Sequence, residues 1–311
     1  MSENLFYDRT RNITGLSIID ESAYTPTYGS SVTFMSENMR FDTHDSYYKT
    51  IPRGINNLTA KFSLKYKSNE NGAANLANYY EASEGDQLVA VITDPSIYQK
   101  TSGYCTDYSI NHTNNQHYEI SPIIEVTEAP SMLNWSGMNF VSPDFTDWQD
   151  SQTYKKYDIV YTGVYGQKIN NFFYCKKDHS SNAANSPTGE NTSWTQEFFW
   201  EPDIGLSTQV KLAASRYDGG FSSFYKTKKN TATFPVSYNF SSISTKQLKS
   251  MLHFLENKGG YRRFRHQMNS VYNRPKVFIC PSWTHTFVYN NSHNLQVNFE
   301  EDPLGVIPKK D

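Results

Sequence analysis

The feature that most constrains how this chain can fold is a series of motifs that occurs twice, in the same order. Residues 46–50 read SYYKT, and residues 223–227 read SFYKT. Residues 59–66 and 231–238 then carry apolar side chains at alternate positions, which is the period of a half-buried β-strand. A repeated order of matched motifs is the signature of duplicated structural units. The sequence therefore predicts a tandem duplication.

A helical pattern follows the strand pattern in each half. In the second half Ser244 can cap the helix with Gln247 three residues on, and Gly259 can end it in a left-handed conformation. The apolar face of this helix consists of Leu248, Met251, Leu252 and Leu255. The first half has a weaker stripe that ends at Gly85 and consists of Leu76, Tyr79 and Tyr80.

The repeated unit of strands, one helix and further strands predicts a mainly β fold of the α+β class, with two β-sandwich or β-barrel domains and one helix per repeat. The glycine-to-cysteine spacing is equal in both halves, since Gly85 precedes Cys105 and Gly260 precedes Cys280 by the same 20 residues (105 − 85 and 280 − 260). The two cysteines are therefore expected at equivalent, buried strand positions. The predicted core of the second half consists of Phe234, Val236, Leu252, Leu255, Trp283, Phe287, Val297 and Phe299.

The composition changes between the two copies, where a turn-rich stretch and a polar loop surround a run of aromatic residues. The predicted domains are residues 1–131 (the first half), 132–202 (the insert) and 203–311 (the second half). Two similar domains per chain fit side by side around an axis or stacked along it. Three chains would then give six pseudo-equivalent domains, so a trimeric ring is favoured over a hexameric one.

Composition and motifs argue against several functions. The formal net charge is −2, without the basic excess of a nucleic-acid-binding protein, and no apolar run is long enough to span a bilayer. Three cysteines cannot all pair, which fits a reducing cytoplasm better than a disulfide scaffold. No phosphate loop, zinc-protease motif or nucleophile elbow is present, so we predict no catalytic residue, cofactor or metal.

Two groups of residues with possible chemistry have simpler interpretations. Cys175 and His179 have a ligand-like spacing but lack a second pair, which favours a surface histidine beside a strand cysteine over zinc. His117 and His293 each follow an Asn-Asn pair by one residue, a turn-like context in which side chains can bond the local backbone.

Residues 252–264 (LHFLENKGGYRRF) and 277–285 (VFICPSWTH) resemble the minor tail protein M, or distal tail protein, family of long-tailed phages. In that family a helix ending in Leu-Glu-x-x-Gly-Gly precedes a strand, and Cys-x-x-Trp leads to an acidic closing strand, here FEED at 299–302. The resemblance covers about residues 215–303. The first half matches more faintly, without the glycine pair and with Tyr108 in place of Trp283. The resemblance implies a tail-tube-like β domain that forms rings near the distal end of a tail, without catalysis.

The insert resembles the small, three-stranded chitin-binding-type modules. The residues that carry this resemblance are Trp148, Tyr154, Asp158, Val160, Tyr161, Phe173, Tyr174, Cys175, Pro187 and Trp194. The sequence departs from the pattern at Tyr157, where the family has glycine, and at 176–177, where two lysines replace a tryptophan pair. The resemblance implies a glycan site at which exposed rings stack on sugars, with the candidates Tyr161, Tyr174, Trp194 and Trp200. Alternatively, so small a module uses its aromatic residues as a core, or attaches to a neighbouring tail protein.

These observations predict a structural protein of a phage tail tip or baseplate, made in the host cytoplasm and located in the virion. Its expected partners are further copies of itself, the tail tube, other tail-tip proteins and a host surface glycan. We expect the insert to project from the ring and to be dispensable for its assembly. The alternatives are a glycan-binding adhesin without a ring role and a polysaccharide depolymerase.

Overall fold

The computed structural model describes the following residues: 26–42, 48–53, 58–83, 85, 88–91, 97–98, 101–114, 117–126, 145–162, 172–188, 193–203, 207–208, 211–212, 214–218, 222–226, 232–233, 235–267 and 275–302. The predicted core residue Phe234 and both ends of the chain lie outside them. The described structure is mainly β, as the sequence predicts, with one α-helix in each half.

The first half contains β1 (Ser31–Ser36), β2 (Asn38–Asp42), β3 (Tyr48–Pro52), β4 (Leu58–Ser63), β5 (Tyr66–Ser68), α1 (Glu70–Ala82), β6 (Leu88–Val91), β7 (Thr101–Asn114) and β8 (His117–Val126). The insert contains β9 (Phe145–Asp147), β10 (Thr153–Tyr154), β11 (Ile159–Tyr161), β12 (Phe172–Cys175), β13 (His179–Ser180) and β14 (Trp194–Thr195). The second half contains β15 (Ser207–Thr208), β16 (Lys211–Leu212), β17 (Ala214–Asp218), β18 (Ser222–Lys226), β19 (Ala232–Thr233), β20 (Val236–Ile243), α2 (Thr245–Lys258), β21 (Phe264–His266), β22 (Lys276–Tyr289) and β23 (Ser292–Glu301).

Local signals define both ends of α2, as predicted. The Ser244 side chain accepts a hydrogen bond from the backbone N–H of Gln247, and Gly259 ends the helix in the left-handed conformation with φ 58°. In the first half, Asn69 caps α1 by accepting from the N–H of Gly72. This helix ends at Ala82 with Ser83 as its C-cap, before the predicted stop at Gly85.

The two halves share one sheet. Its main path runs β15-β20-β23-β22-β1-β4-β8-β7-β6, with β5 and β21 pairing to β8 and β22 beside that path. The halves meet where β1 pairs with β22 in antiparallel orientation, with Ser31 opposite Thr286 and Met35 opposite Ser282. The predicted core residues outside position 234 are all buried.

The strand pairings of the two halves correspond residue by residue. The pair Ile110–Ile120 of β7 and β8 becomes His285–Leu295 of β22 and β23, a shift of 175 residues in both strands (285 − 110 and 295 − 120). Ser31–Ser63 of β1 and β4 likewise becomes Ser207–Ser237 of β15 and β20 (shifts of 176 and 174). Even the irregularities at 105–107 and 279–282 fall at corresponding places.

One detail of the sequence alignment is corrected by this register. The motif match equates Phe62 with Phe234 in the two repeats. In the structure Phe62 pairs with Ile124, and the residue that pairs with Phe299, the counterpart of Ile124, is Val236. The match is therefore two residues out of register. A two-residue slip leaves every side chain on the same face of the strand, so alternation alone cannot detect it.

The insert contains a four-stranded sheet, β14-β12-β11-β9, where three strands were predicted, and a separate β10–β13 pair. The additional strand β9 runs parallel to β11. Because side chains alternate across a strand, the sheet buries one set of residues in the main core, consisting of Ile159, Tyr161, Phe172 and Tyr174. The opposite face contributes Val160, Phe173, Cys175 and Trp194 to a satellite cluster, which Tyr154 of β10 completes.

Candidate functional site

The four rings proposed to stack on a sugar are all buried. Tyr161, Tyr174 and Trp200 are each 1% exposed and Trp194 is 5% exposed. Trp194 belongs to the satellite cluster, where its Nε1–H donates to the carbonyl of Asn185 at 3.1 Å. The other three belong to the main core.

Tyr174 and Trp200 contact α2 directly. The Tyr174 hydroxyl lies 2.9 Å from Nδ1 of His253, and the Trp200 ring meets Phe254 edge to face at 5.4 Å between centroids. An ion pair of 2.6 Å between Lys246 and Asp158 joins the start of the helix to the insert. These contacts bury α2 on its insert side as well as on its sheet side.

Stacking on a sugar requires an open ring face, and none of the four predicted rings has one in this structure. Their burial agrees with the alternative interpretation, in which a small module uses its aromatic residues as a core. Glycan binding by the insert stays a prediction, and it cannot depend on these four rings as they are placed here. The insert also differs from the expected projecting appendage, because part of it completes the core over α2.

A chain of three hydrogen bonds, of which the first two are buried, crosses from the first half to the second. The Tyr98 hydroxyl lies 2.7 Å from Nδ1 of His285, whose Nε2 lies 3.2 Å from Nδ1 of His293. His293 Nε2 lies 3.0 Å from the hydroxyl of Thr245 at the start of α2. Neutral rings satisfy all three bonds in either direction: Tyr98 donates to His285, His285 to His293 and His293 to Thr245, or all three bonds are reversed. Burial and the neighbouring His293 hold the pKa of His285 well below its usual value.

The pairing of β1 with β22 and the side chains over it form what we call the joint. Phe34 of the first half stacks on Trp283 at 5.3 Å between centroids, and Tyr98 packs edge to face on Phe287. The end of α2 approaches closely, because a Cβ added at Gly260 would collide with the Ser36 side chain. The joint is therefore packed as a protein core. Sequence reasoning did not identify it, nor the hydrogen bonds that its histidine His293 forms with His285 and Thr245.

The corresponding face of the first half is more exposed to solvent. The residues of β7 that match Trp283, His285 and Phe287 are Tyr108, Ile110 and His112 (each 175 residues earlier). Ile110 is 44% exposed, whereas His285 is fully buried. Tyr108 is half-buried and His112 is exposed. We call these three residues the open face. The sequence signal that could have found it is the apolar Ile110 at a position that the other repeat buries.

The three cysteines are buried thiols. Cys105 and Cys280, at corresponding positions, each donate to the backbone carbonyl two residues on at 3.4 Å, as the sequence predicts for packed strand residues. Burial raises the pKa of both, and it raises that of Cys175 to about 11. Cys175 Sγ lies 3.6 Å from Nδ1 of His179, and the described residues contain no group of three side chains suited to a metal. Neither α-helix of the described chain is long and apolar enough to cross a membrane.

No protein-family model matches the chain, and no curated protein matches it. Among solved structures, an E. coli component of the type VI secretion system, described as similar to the phage T4 tail proteins gp27 and gp5, aligns at 10% identity and a TM-score of 0.33 over 89% of this chain and 74% of that chain. The 43 kDa tail protein of prophage MuSo2 from Shewanella oneidensis aligns at 8% identity and a TM-score of 0.31 over 90% and 96%. A tail protein from Neisseria meningitidis MC58 aligns at 7% identity and a TM-score of 0.31 over 89% and 98%. Similarity this slight does not establish a shared fold.

Proposed function

We propose that the chain is a structural component of the tail tip or baseplate of a long-tailed bacterial virus, that it forms a ring at the distal end of the tail tube, and that the insert faces the host surface. The observation that carries the proposal is the single sheet, in which the two halves pair their corresponding strands in the same register. We attribute that equivalence to tandem duplication, with the domain division at 1–131, 132–202 and 203–311. The tail-family resemblance of residues 215–303 gives the unit its proposed place in a virion.

A ring would form if copies of the chain repeated the contact that its two halves make with each other. The two halves already associate once, through the joint, and a contact between unlike surfaces can be repeated by further copies until it closes. Three chains would supply six similar units, which is why we favour a trimer over a hexamer. The exposed side chains Tyr28, Met35, Met39 and Phe41 give the remaining tail proteins apolar surface to contact.

The mass of the purified native assembly and its negative-stain images test the ring. We expect a mass of three chains and a particle with a central channel. A protein that stays monomeric at high concentration, and that does not enter tails when it is supplied to tail assembly, would overturn the proposal.

Glycan binding is the finer part of this proposal and is supported by the module-like sequence of the insert. Binding of the purified chain to host cell-wall and capsule polysaccharides tests it, with bovine serum albumin as the reference. Release of reducing ends from the same polysaccharides would instead favour the depolymerase alternative. Saturable glycan binding by a chain that remains monomeric would favour the adhesin.

A further inference from the structure

We infer that the outer edge of β7 at residues 107–111 receives β15 of a second copy of this chain, in the register that β1 and β22 use inside each chain. The inference rests on the proposed ring and names the surfaces and the register that would close it. The partner is a second copy because the joint already shows how one half of this chain binds the other.

The edges that would meet are defined by the repeat. In the second half, one edge of β22 is shared by two strands: β21 pairs with residues 276–278 and β1 with residues 282–286. In the first half, β6 takes the place of β21 and pairs with residues 101–104 of β7. Within the described chain, no strand pairs with residues 107–111 of β7 on that side. Among the described strands, none occupies on β7 the place that β1 occupies on β22.

The strand that fits this place is β15. It corresponds to the start of β1, because Ser207 pairs with Ser237 as Ser31 pairs with Ser63. β15 ends the sheet path, and in the described chain its outer edge has no partner strand. In the joint Ser31 of β1 pairs with Thr286 of β22. The counterpart of Ser31 in β15 is Ser207 (31 + 176), and the counterpart of Thr286 in β7 is Asn111 (286 − 175). The same pairing between copies therefore places Ser207 of one copy opposite Asn111 of the next. Thr208 then lies opposite Ile110.

The burial of side chains on β7 agrees with a missing partner. His285 is covered by Tyr98 and flanked by the stacked pair of Phe34 and Trp283. Its counterpart Ile110 lies on the open face, where a branched apolar side chain exposes 44% of its surface to water. Covering it with the next copy removes that surface from water and pairs the open strand edge.

A surface depression lies beside the turn between β7 and β8, toward β5 and the start of α1. Its volume is about 650 Å³, and it is lined by Lys67, Ser68, Asn69, Thr113, Asn114 and His117. Asn114 corresponds to Tyr289 (114 + 175), and in the joint Tyr28, which precedes β1 in the chain, stacks on Tyr289 at 5.4 Å between centroids. The joint, repeated between copies, would therefore bring the residues that precede β15 to Asn114, one of the residues that line the depression.

Cysteine cross-linking tests the register. One variant carries Ser207→Cys and another carries Asn111→Cys, and the two are co-expressed and oxidised. We expect a covalent dimer that contains one chain of each kind and no dimer from either variant alone. The native thiols are buried and give little background. Ser31→Cys with Thr286→Cys in one chain is the positive control, since it tests the same pair inside the joint. Thr113→Cys replaces Asn111→Cys as the control that is two residues out of register.

The outcomes separate this inference from the proposed function. A particle of ring mass that gives no 111–207 disulfide, or one that cross-links equally through position 113, overturns the pairing and leaves the ring standing. A chain that is monomeric by native mass overturns both.

A charge on the open face provides a second test. Ile110→Lys should convert the assembly to monomers with an unfolding midpoint close to that of the parent chain, because the side chain is already exposed. The matched control is Val288→Lys, which changes an exposed strand residue outside the 107–111 edge and should assemble normally. An Ile110→Lys protein that forms particles of the parent mass would contradict the inference.

Discussion

The hydroxyl of Tyr98 lies 2.7 Å from Nδ1 of His285, and both residues are buried although 187 positions separate them in the chain. The bond places a phenol of the first half on an imidazole of the second, within the joint. A buried hydrogen bond is worth little net when it is formed, but it is costly to break on one side only. The joint is therefore specified by polar complementarity as well as by the packing of Phe34 on Trp283.

Tyr98→Phe tests this bond. It keeps the ring contacts of Tyr98 and removes the hydroxyl, so Nδ1 of His285 loses that partner. We expect the free energy of unfolding to fall by about 1–3 kcal/mol, measured by urea denaturation. Tyr28→Phe is the control, because Tyr28 is exposed and its stacking on Tyr289 needs no hydroxyl. Equal stability of both variants would show that the bond contributes nothing to the joint.

Glu256 on α2 predicts a loss of stability as the pH rises. Burial raises its carboxyl pKa well above the usual value, and its Oε1 has no hydrogen-bond partner among the described residues. The corresponding Glu81 (256 − 175) is exposed and accepts a 2.6 Å bond from Tyr108. The folded chain keeps a proton on Glu256 that the unfolded chain loses above about pH 4.5. The contribution of Glu256 to the free energy of unfolding therefore falls by about 1.4 kcal/mol per pH unit, from about pH 4.5 up to the pKa of Glu256 in the folded chain.

Glu256→Gln removes this titration and should make the chain more stable than the parent at pH 8, with a difference that shrinks toward pH 4.5. Urea midpoints across that range measure it. Glu81→Gln is the control for the substitution itself, since it makes the same change at the corresponding exposed position of α1. The assignment would be wrong if Glu256→Gln lowered the midpoint at pH 8.

Three buried histidines predict the opposite dependence on the acid side. Burial lowers the pKa of His253 to about 3 and that of His266 to about 4, and that of His285 is also lowered. Below about pH 6.5 the unfolded chain binds protons that the folded chain does not. Each histidine should therefore lower the free energy of unfolding by about 1.4 kcal/mol per pH unit as the pH falls from 6.5 to the pKa of that histidine in the folded chain.

The Glu256→Gln background isolates the histidine effect, because the carboxyl opposes it between pH 4.5 and 6.5. Thermal midpoints in that background should fall steadily from pH 6.5 to 5. A flat profile over this interval would mean that the histidines are protonated in the folded chain.

The parts of the fold that sequence predicted are those set by local chemistry. The cap at Ser244, the stop at Gly259 and the apolar face of α2 each depend on residues a few positions apart. The shared sheet could not be predicted in this way, because the pairing of β1 with β22 joins residues some 250 positions apart (286 − 31). The aromatic pattern of the insert was recognised, but which face of a strand is buried depends on what packs against it. Tyr174 is buried because α2 covers it, and no residue near Tyr174 in the sequence indicates that contact.

The dependence of the main core on the insert gives a last prediction, which compares two buried tryptophans. Trp200 packs on Phe254 of α2 and on Tyr174, so it belongs to the core that both halves share. Trp194 packs on Tyr154 within the satellite cluster. Trp200→Ala should lower the free energy of unfolding of the whole chain by about 3–5 kcal/mol, the usual cost of emptying a buried aromatic site.

Trp194→Ala should instead loosen only the insert, so hydrogen exchange should increase in residues 153–195 while α2 and β22 stay protected. Trp200→Ala should speed exchange in α2 as well. The two variants are matched in residue type and in burial, so a difference between them reports position alone. If both loosen the insert and neither affects α2, the insert is an independent module. Deleting residues 145–200 would then leave the sheet of the two halves intact, as the sequence alone suggests.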